Sequence, residues 1–147
     1  MDSFVERKDM PVLRVRADMR GAGPPAAFDL LESKLPTLKG RHFYGAFRPV
    51  EGGEEYYACV EQVSTDEPLT MQIETGTLPG GTYVRRKLLG EEAKVAAFAK
   101  NFPQMVKAYA TDPERPQLEY YRSEKEWHLL VPVRSRRERA SSESPPG

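Results

Sequence analysis

Arg115-Pro116-Gln117-Leu118-Glu119-Tyr120-Tyr121 reads as a strand with two unlike faces. Residues two apart in a strand share a face. Gln117, Glu119 and Tyr121 therefore point one way, and Leu118 and Tyr120 the other. A carboxylate beside a tyrosine ring in such a strand has two readings. Glu119 either faces water on a half-exposed sheet, or lies at the floor of an aromatic pocket and attracts a cationic or polar small molecule. The rest of the chain bears on that choice.

Around this strand the second half of the chain is regular. A turn at residues 123–126 leads to a strand at 127–133, Trp-His-Leu-Leu-Val-Pro-Val. Upstream, Val95, Phe98, Ala99, Phe102, Met105, Val106 and Tyr109 recur at intervals of three and four. That spacing predicts an amphipathic helix over 90–110, kinked or split near Asn101 by Pro103. Residues 82–88 read as a strand by β-propensity, 76–81 as a glycine-rich loop, and 71–75 as a short strand.

The first half runs in the same order. Residues 11–17 alternate Val and Arg as a half-buried strand does. Gly-Ala-Gly-Pro-Pro at 21–25 breaks the chain, and Pro suits the first turn of a helix. Phe28, Leu31 and Leu35 then mark a helix over 26–35 that ends before Pro36. Residues 41–47 form a strand with Phe43, Gly45 and Phe47 on one face and His42, Tyr44 and Ala46 on the other. A turn at 51–54 joins it to a strand over 55–63. Strand, helix, strand, strand occurs twice. The predicted fold is α+β, two such units in a pseudo-two-fold arrangement forming an antiparallel sheet around a central cleft, with the helices backing it.

Length and charge set limits. A chain of 147 residues is one domain in size. Twenty-two basic and 22 acidic residues cancel, which gives no support to general nucleic-acid or membrane-surface binding. A lone cysteine, Cys59, permits no internal disulfide, and a reducing compartment fits. No apolar run approaches the roughly 20 residues of a membrane span, and the start, Met-Asp-Ser-Phe-Val-Glu-Arg-Lys, is charged where a leader is apolar. A cytoplasmic location is expected. From residue 134 the chain turns arginine-rich and then small and polar, so the domain is read as 1–134 and 135–147 as a flexible basic and polar tail.

Several blocks together carry a resemblance: Gly40-Arg-His-Phe-Tyr-Gly45, Tyr56-Tyr-Ala-Cys-Val60, Leu78-Pro-Gly-Gly-Thr-Tyr83, Arg115-Pro-Gln-Leu-Glu-Tyr-Tyr121 and Leu130-Val-Pro-Val133. In this order they resemble the GyrI-like small-molecule-binding superfamily, the effector-binding fold of multidrug-responsive and AraC-type regulators, over residues 8–134. The resemblance implies a pocket between two duplicated halves. It matches Glu119 to the buried acidic residue that meets lipophilic cations, and Tyr83 and Tyr121 to pocket-lining aromatics. No helix-turn-helix region is read on either side, so DNA binding is not carried over. Stand-alone relatives imply two other roles, hydrolysis of strained electrophilic toxins and inhibition of a protein partner such as DNA gyrase.

Binding of a small lipophilic cation or polar aromatic molecule is thus the expected function. Hydrolysis in the same pocket and a protein-binding inhibitor are the alternatives. A carboxylate in an apolar pocket has its charged form disfavoured, and a bound cation offsets that. Aromatic faces add about 0.5–2 kcal/mol each. The expected lining is Glu119, Tyr121, Tyr83, Tyr44, Tyr57 and Trp127. His42, His128 and Cys59 are too scattered for metal-ligand spacing and are read as ordinary strand residues, Cys59 as a buried hydrophobe. Residues 76–81 lack the Gly-Lys-Ser/Thr of a phosphate loop. No cofactor, no metal and no catalytic residue is assigned.

Overall fold

The computed structural model describes residues 2–134; the tail expected at 135–147 lies outside them. Eight strands form one antiparallel sheet in the order β1-β6-β8-β7-β3-β4-β2-β5. They are β1 (Asp2–Arg7), β2 (Met10–Arg16), β3 (Phe43–Val50), β4 (Gly53–Glu61), β5 (Glu74–Leu78), β6 (Gly81–Leu89), β7 (Gln117–Ser123) and β8 (Glu126–Pro132). The helices are α1 (Gly23–Ser33), α2 (Glu67–Met71) and α3 (Ala96–Ala108).

The six inner strands, β6-β8-β7-β3-β4-β2, are symmetric about the β3–β7 pair. One half is β2-α1-β3-β4 and the other β6-α3-β7-β8, so the fold is the duplicated α+β arrangement the sequence predicts. The outer strands are exchanged. β1 runs into β2 through Lys8-Asp9 but pairs with β6, and β5 runs into β6 through Pro79-Gly80 but pairs with β2.

That exchange explains why the sheet curls. Arg7 pairs with Gly81 and Met10 with Leu78, so the same register holds on both sides of the crossing. The two edges of the sheet are the two ends of one long strand pair. At the crossing the backbones nearly touch. A Cβ on Gly80 would lie 2.5 Å from the Arg7 carbonyl oxygen and 2.7 Å from the Asp9 nitrogen. The Gly80 N–H donates to the Asp9 carboxylate at 2.6 Å.

Strand alternation then sorts the side chains. Inside the curl lie Val12, Tyr44, Ala46, Cys59, Leu78, Tyr83, Leu118 and Leu130. On the outer face, α1 covers Leu13, Ala58 and Val60 with Ala27 and Leu31. On the same face, Met105 of α3 covers Val84, Leu129 and Val131. The helices sit over opposite halves, and the strip of sheet between them, along β3 and β7, forms the floor of a cleft.

Three local expectations are corrected. Residues 71–75 do not form the strand: α2 ends at Met71, Gln72 takes a left-handed conformation (φ 50°), and pairing with β2 sets the strand at β5. The helix expected over 90–110 is a 3₁₀ turn at Gly90–Glu92 followed by α3, which continues past Pro103 without breaking. β1 was not anticipated. Its place is fixed by partners distant in sequence: Asp2 accepts from Arg86 Nε at 2.7 Å and from the Tyr109 hydroxyl at 2.9 Å.

Arg115 ties the strand crossing to the start of β7. Its guanidinium donates to the carbonyls of Gly80 and Thr82 at 3.2 Å, Val133 at 2.6 Å, and the Asp112 carboxylate at 2.8 Å. Arg115→Met removes a donor from all four acceptors, of which Thr82 keeps the Val133 N–H and Asp112 the Glu114 N–H, and should cost about 2–4 kcal/mol. Urea unfolding at pH 7 measures this; a loss under 0.5 kcal/mol, the range of ordinary surface changes, would refute the anchoring role.

Candidate functional site

Glu119 lies on β7 opposite Gly45 of β3 and Leu129 of β8, on the face that carries the helices. It is 8% exposed. Two phenols converge on one of its oxygens. Tyr56 of β4 donates to Oε1 at 2.6 Å, and Tyr121 donates to the same atom at 2.7 Å. Oε2 accepts no hydrogen bond from the described residues. The space for this cluster comes from Gly45: a Cβ there would lie 2.0 Å from the Tyr56 hydroxyl and 2.3 Å from Oε1.

Burial and hydrogen bonding oppose each other at Glu119. Desolvation raises its pKa and the two hydroxyls lower it; burial prevails, and the carboxyl sits above its ordinary value. The phenols move the same way for related reasons. Burial first, and the adjacent Glu119 charge second, push Tyr56 and Tyr121 well above the usual tyrosine value. Both remain protonated donors throughout the physiological range.

Rings surround the carboxylate. Tyr121 meets Phe28 of α1 edge-on with centroids 5.6 Å apart, Phe98 of α3 at 6.3 Å and Trp127 of β8 at 5.0 Å. Phe98 also lies over Trp127 at 5.4 Å. A cavity of about 450 Å³ opens between α3 and the sheet, lined by Phe47, Phe98, Phe102, Val106 and Glu119 among others. A smaller one of about 240 Å³ lies on the α1 side of Tyr121, lined by Phe28, Glu32, Phe43 and Tyr121. Pro103 cannot donate to the Ala99 carbonyl, and both residues line the larger cavity.

The six residues expected to line one pocket fall on two faces. Glu119, Tyr121 and Trp127 come together in the cleft. Tyr44, Tyr57 and Tyr83 lie across the sheet, inside the curl. There Tyr44 stacks on Tyr120 at 4.7 Å and accepts from Arg7 at 2.9 Å. Tyr57 lies under the Arg14 guanidinium at 4.0 Å, and Tyr83 donates to the Pro79 carbonyl at 2.5 Å. His42 and His128 share this second face, His42 beside the Tyr120 hydroxyl at 2.9 Å and His128 beside Glu126 at 2.6 Å. Cys59 is fully buried there, and burial pushes its thiol up to about 12. Sequence reasoning missed Tyr56, Phe28, Phe47, Phe98 and Phe102 as site residues. One signal was present: Gly45 between Phe43 and Phe47 marks a position where another group needs the room.

Among the described residues no group of His, Cys, Asp and Glu is placed to hold a metal ion, and no helix is long and apolar enough to cross a membrane.

No protein-family model and no curated protein matches the sequence. Solved structures do match the fold. One is an integron cassette protein from the mobile metagenome of Vibrio cholerae, with a TM-score of 0.64 at 17% identity, covering 90% of this chain and 95% of that one. Another is SAV2435 bound to tetraphenylphosphonium, TM-score 0.62 at 16% identity, covering 92% and 94%. A third is the C-terminal domain of EcmrR, TM-score 0.57 at 12% identity, covering 90% and 96%. At these identities the likeness is one of fold.

The raised pKa of Glu119 has a sign. The folded state holds the proton more tightly than the unfolded chain. The resulting stability is fully present below the ordinary carboxyl value and is lost as pH rises through the elevated one. Urea unfolding across pH 4–8 should therefore show the wild type losing stability relative to Glu119→Gln over that window. A difference independent of pH would contradict it.

Proposed function

We propose that the protein binds lipophilic cations in the cleft between α1 and α3, with Glu119 as the charge that receives them. The observation that carries this reading is the geometry of one carboxylate. It is buried, it is held by two phenols through Oε1 alone, and it lines an aromatic cavity of about 450 Å³. Ligand pockets typically measure roughly 300–1,000 Å³ and combine apolar walls with a few fixed polar groups. A guest cation would meet a carboxyl already oriented, with the rings of Phe98 and Phe102 lining the same cavity. Tyr121, which donates to Glu119, lines the smaller cavity.

The neighbouring fold of SAV2435, whose structure contains tetraphenylphosphonium, supports the class of ligand. Hydrolysis by the same carboxyl has less support from the geometry. Both phenol protons are directed to Oε1, so neither hydroxyl is set to act as an acid towards the cavity.

Tetraphenylphosphonium should raise the melting temperature of the wild type, and triphenylphosphine oxide, of related shape but uncharged, should do so far less. Glu119→Gln should remove most of the phosphonium shift. Because the cation favours the ionised carboxyl, affinity should increase with pH through the elevated pKa of Glu119. Thermal-shift and calorimetric titrations at several pH values check this; equal shifts in wild type and variant, or equal response to the neutral compound, would overturn the proposal.

A further inference from the structure

The cavity over Glu119 has a second carboxylate that the single-cation reading leaves unused. Glu54, at the start of β4, lines the same cavity. It is exposed at the rim, and no hydrogen bond or ion pair engages it among the described residues. Arg16 and Arg20 line a neighbouring hollow of about 810 Å³ that Glu54 also borders, without pairing to it.

Sheet register relates the two acids. Glu119 stands beside Gly45, and Glu54 beside Pro49. Phe47 lies midway between those two positions on β3, on the same face, and also lines the cavity. Four residues of strand span about 13 Å. The two acids also stand on opposite sides of β3, Glu119 on β7 and Glu54 on β4, which adds two strand spacings and puts their backbones roughly 16 Å apart. The lining between them is mostly apolar, Phe47 with Phe102 and Val106 of α3, and Gln117 beside Phe47 is its polar member. One end is dry and fixed by hydrogen bonds; the other is wet and free.

We propose that this cavity selects lipophilic dications: two onium or ammonium centres joined by an apolar spacer, one centre at Glu119 and the other at Glu54. The assignment rests on the cation-binding reading above and narrows it to a ligand class. The inner centre takes the desolvated, ring-walled position. The outer centre meets Glu54 at the rim, where its attraction is weakened by salt. The spacer lies along Phe47.

A matched pair of probes separates the two ideas. Decyltriphenylphosphonium carries one centre, and a decane-linked bis(triphenylphosphonium) carries two. Calorimetric titration in low salt should show the dication binding the wild type about fivefold tighter or more, the scale of one added exposed ion pair. Glu54→Gln should bring the two probes to within about twofold, the statistical benefit of two equivalent ends, while leaving the monocation unchanged. Glu32→Gln, which removes a carboxylate from the smaller cavity, should leave the dication's advantage in place. Raising salt should reduce that advantage more than it reduces monocation binding. A wild type without preference for the dication would overturn the proposal while the monocation still bound, leaving the simpler reading intact. So would a Glu54→Gln variant that weakened both probes alike or neither. Failure of both probes to bind would overturn the cation reading and the dication class with it.

Discussion

A charge taken out of water must be compensated, and the cleft is organised around one such charge. Burial raises the free energy of the ionised Glu119. Two phenols answer that cost in part, both at Oε1. Each comes from a different part of the sheet, Tyr56 from β4 and Tyr121 from β7 itself. Their convergence requires that the strand between, β3, present no side chain at Gly45. The carboxyl is left oriented but incompletely compensated, which is the condition under which a guest of opposite sign gains most.

The architecture that holds this charge follows from the exchange of edge strands. Because β1 and β5 cross at Lys8-Asp9 and Pro79-Gly80, the sheet curls with one face inside. The inner face fills with its own side chains, among them Tyr44, Leu118 and Leu130. The outer face has one helix over each half and none over the β3–β7 seam. A cleft at the seam is therefore a product of the symmetry, and its floor is made by the residues of β3 and β7 that face outward: Phe43, Gly45 and Phe47 with Gln117, Glu119 and Tyr121. Arg115, fastened to Gly80 and Thr82 at the crossing and to Val133 after β8, sets where β7 begins.

Much of this was legible in the sequence where the information is local. The period-two pattern of residues 115–121 placed Glu119 and Tyr121 on one face, and that of 41–47 placed Phe43, Gly45 and Phe47 together. The duplicated element order gave the symmetry. What stayed hidden depends on relations between strands. Tyr56 and Tyr57 are adjacent, and only the register Phe47↔Tyr56 shows which of them reaches Glu119. Aromatic content grouped Tyr44 and Tyr57 with Glu119, and the resemblance added Tyr83, whereas alternation sends all three to the inner face. β1 has no strong strand pattern of its own; pairing with β6 and the grip of Arg86 on Asp2 make it a strand. Pro103 suggested a break that α3 does not show, because packing of Phe98, Phe102 and Met105 against the sheet outweighs one lost hydrogen bond.

The central claim is that Glu119 is a strained charge relieved by a cation. Carbon-13 NMR titration of the glutamate side-chain carboxyls, assigned with Glu119→Gln, reads this directly. The account predicts one carboxyl titrating above the ordinary glutamate value in the free protein and falling towards or below that value when tetraphenylphosphonium is added. A Glu119 that titrates normally when free, or whose titration is unmoved by the cation, would contradict it.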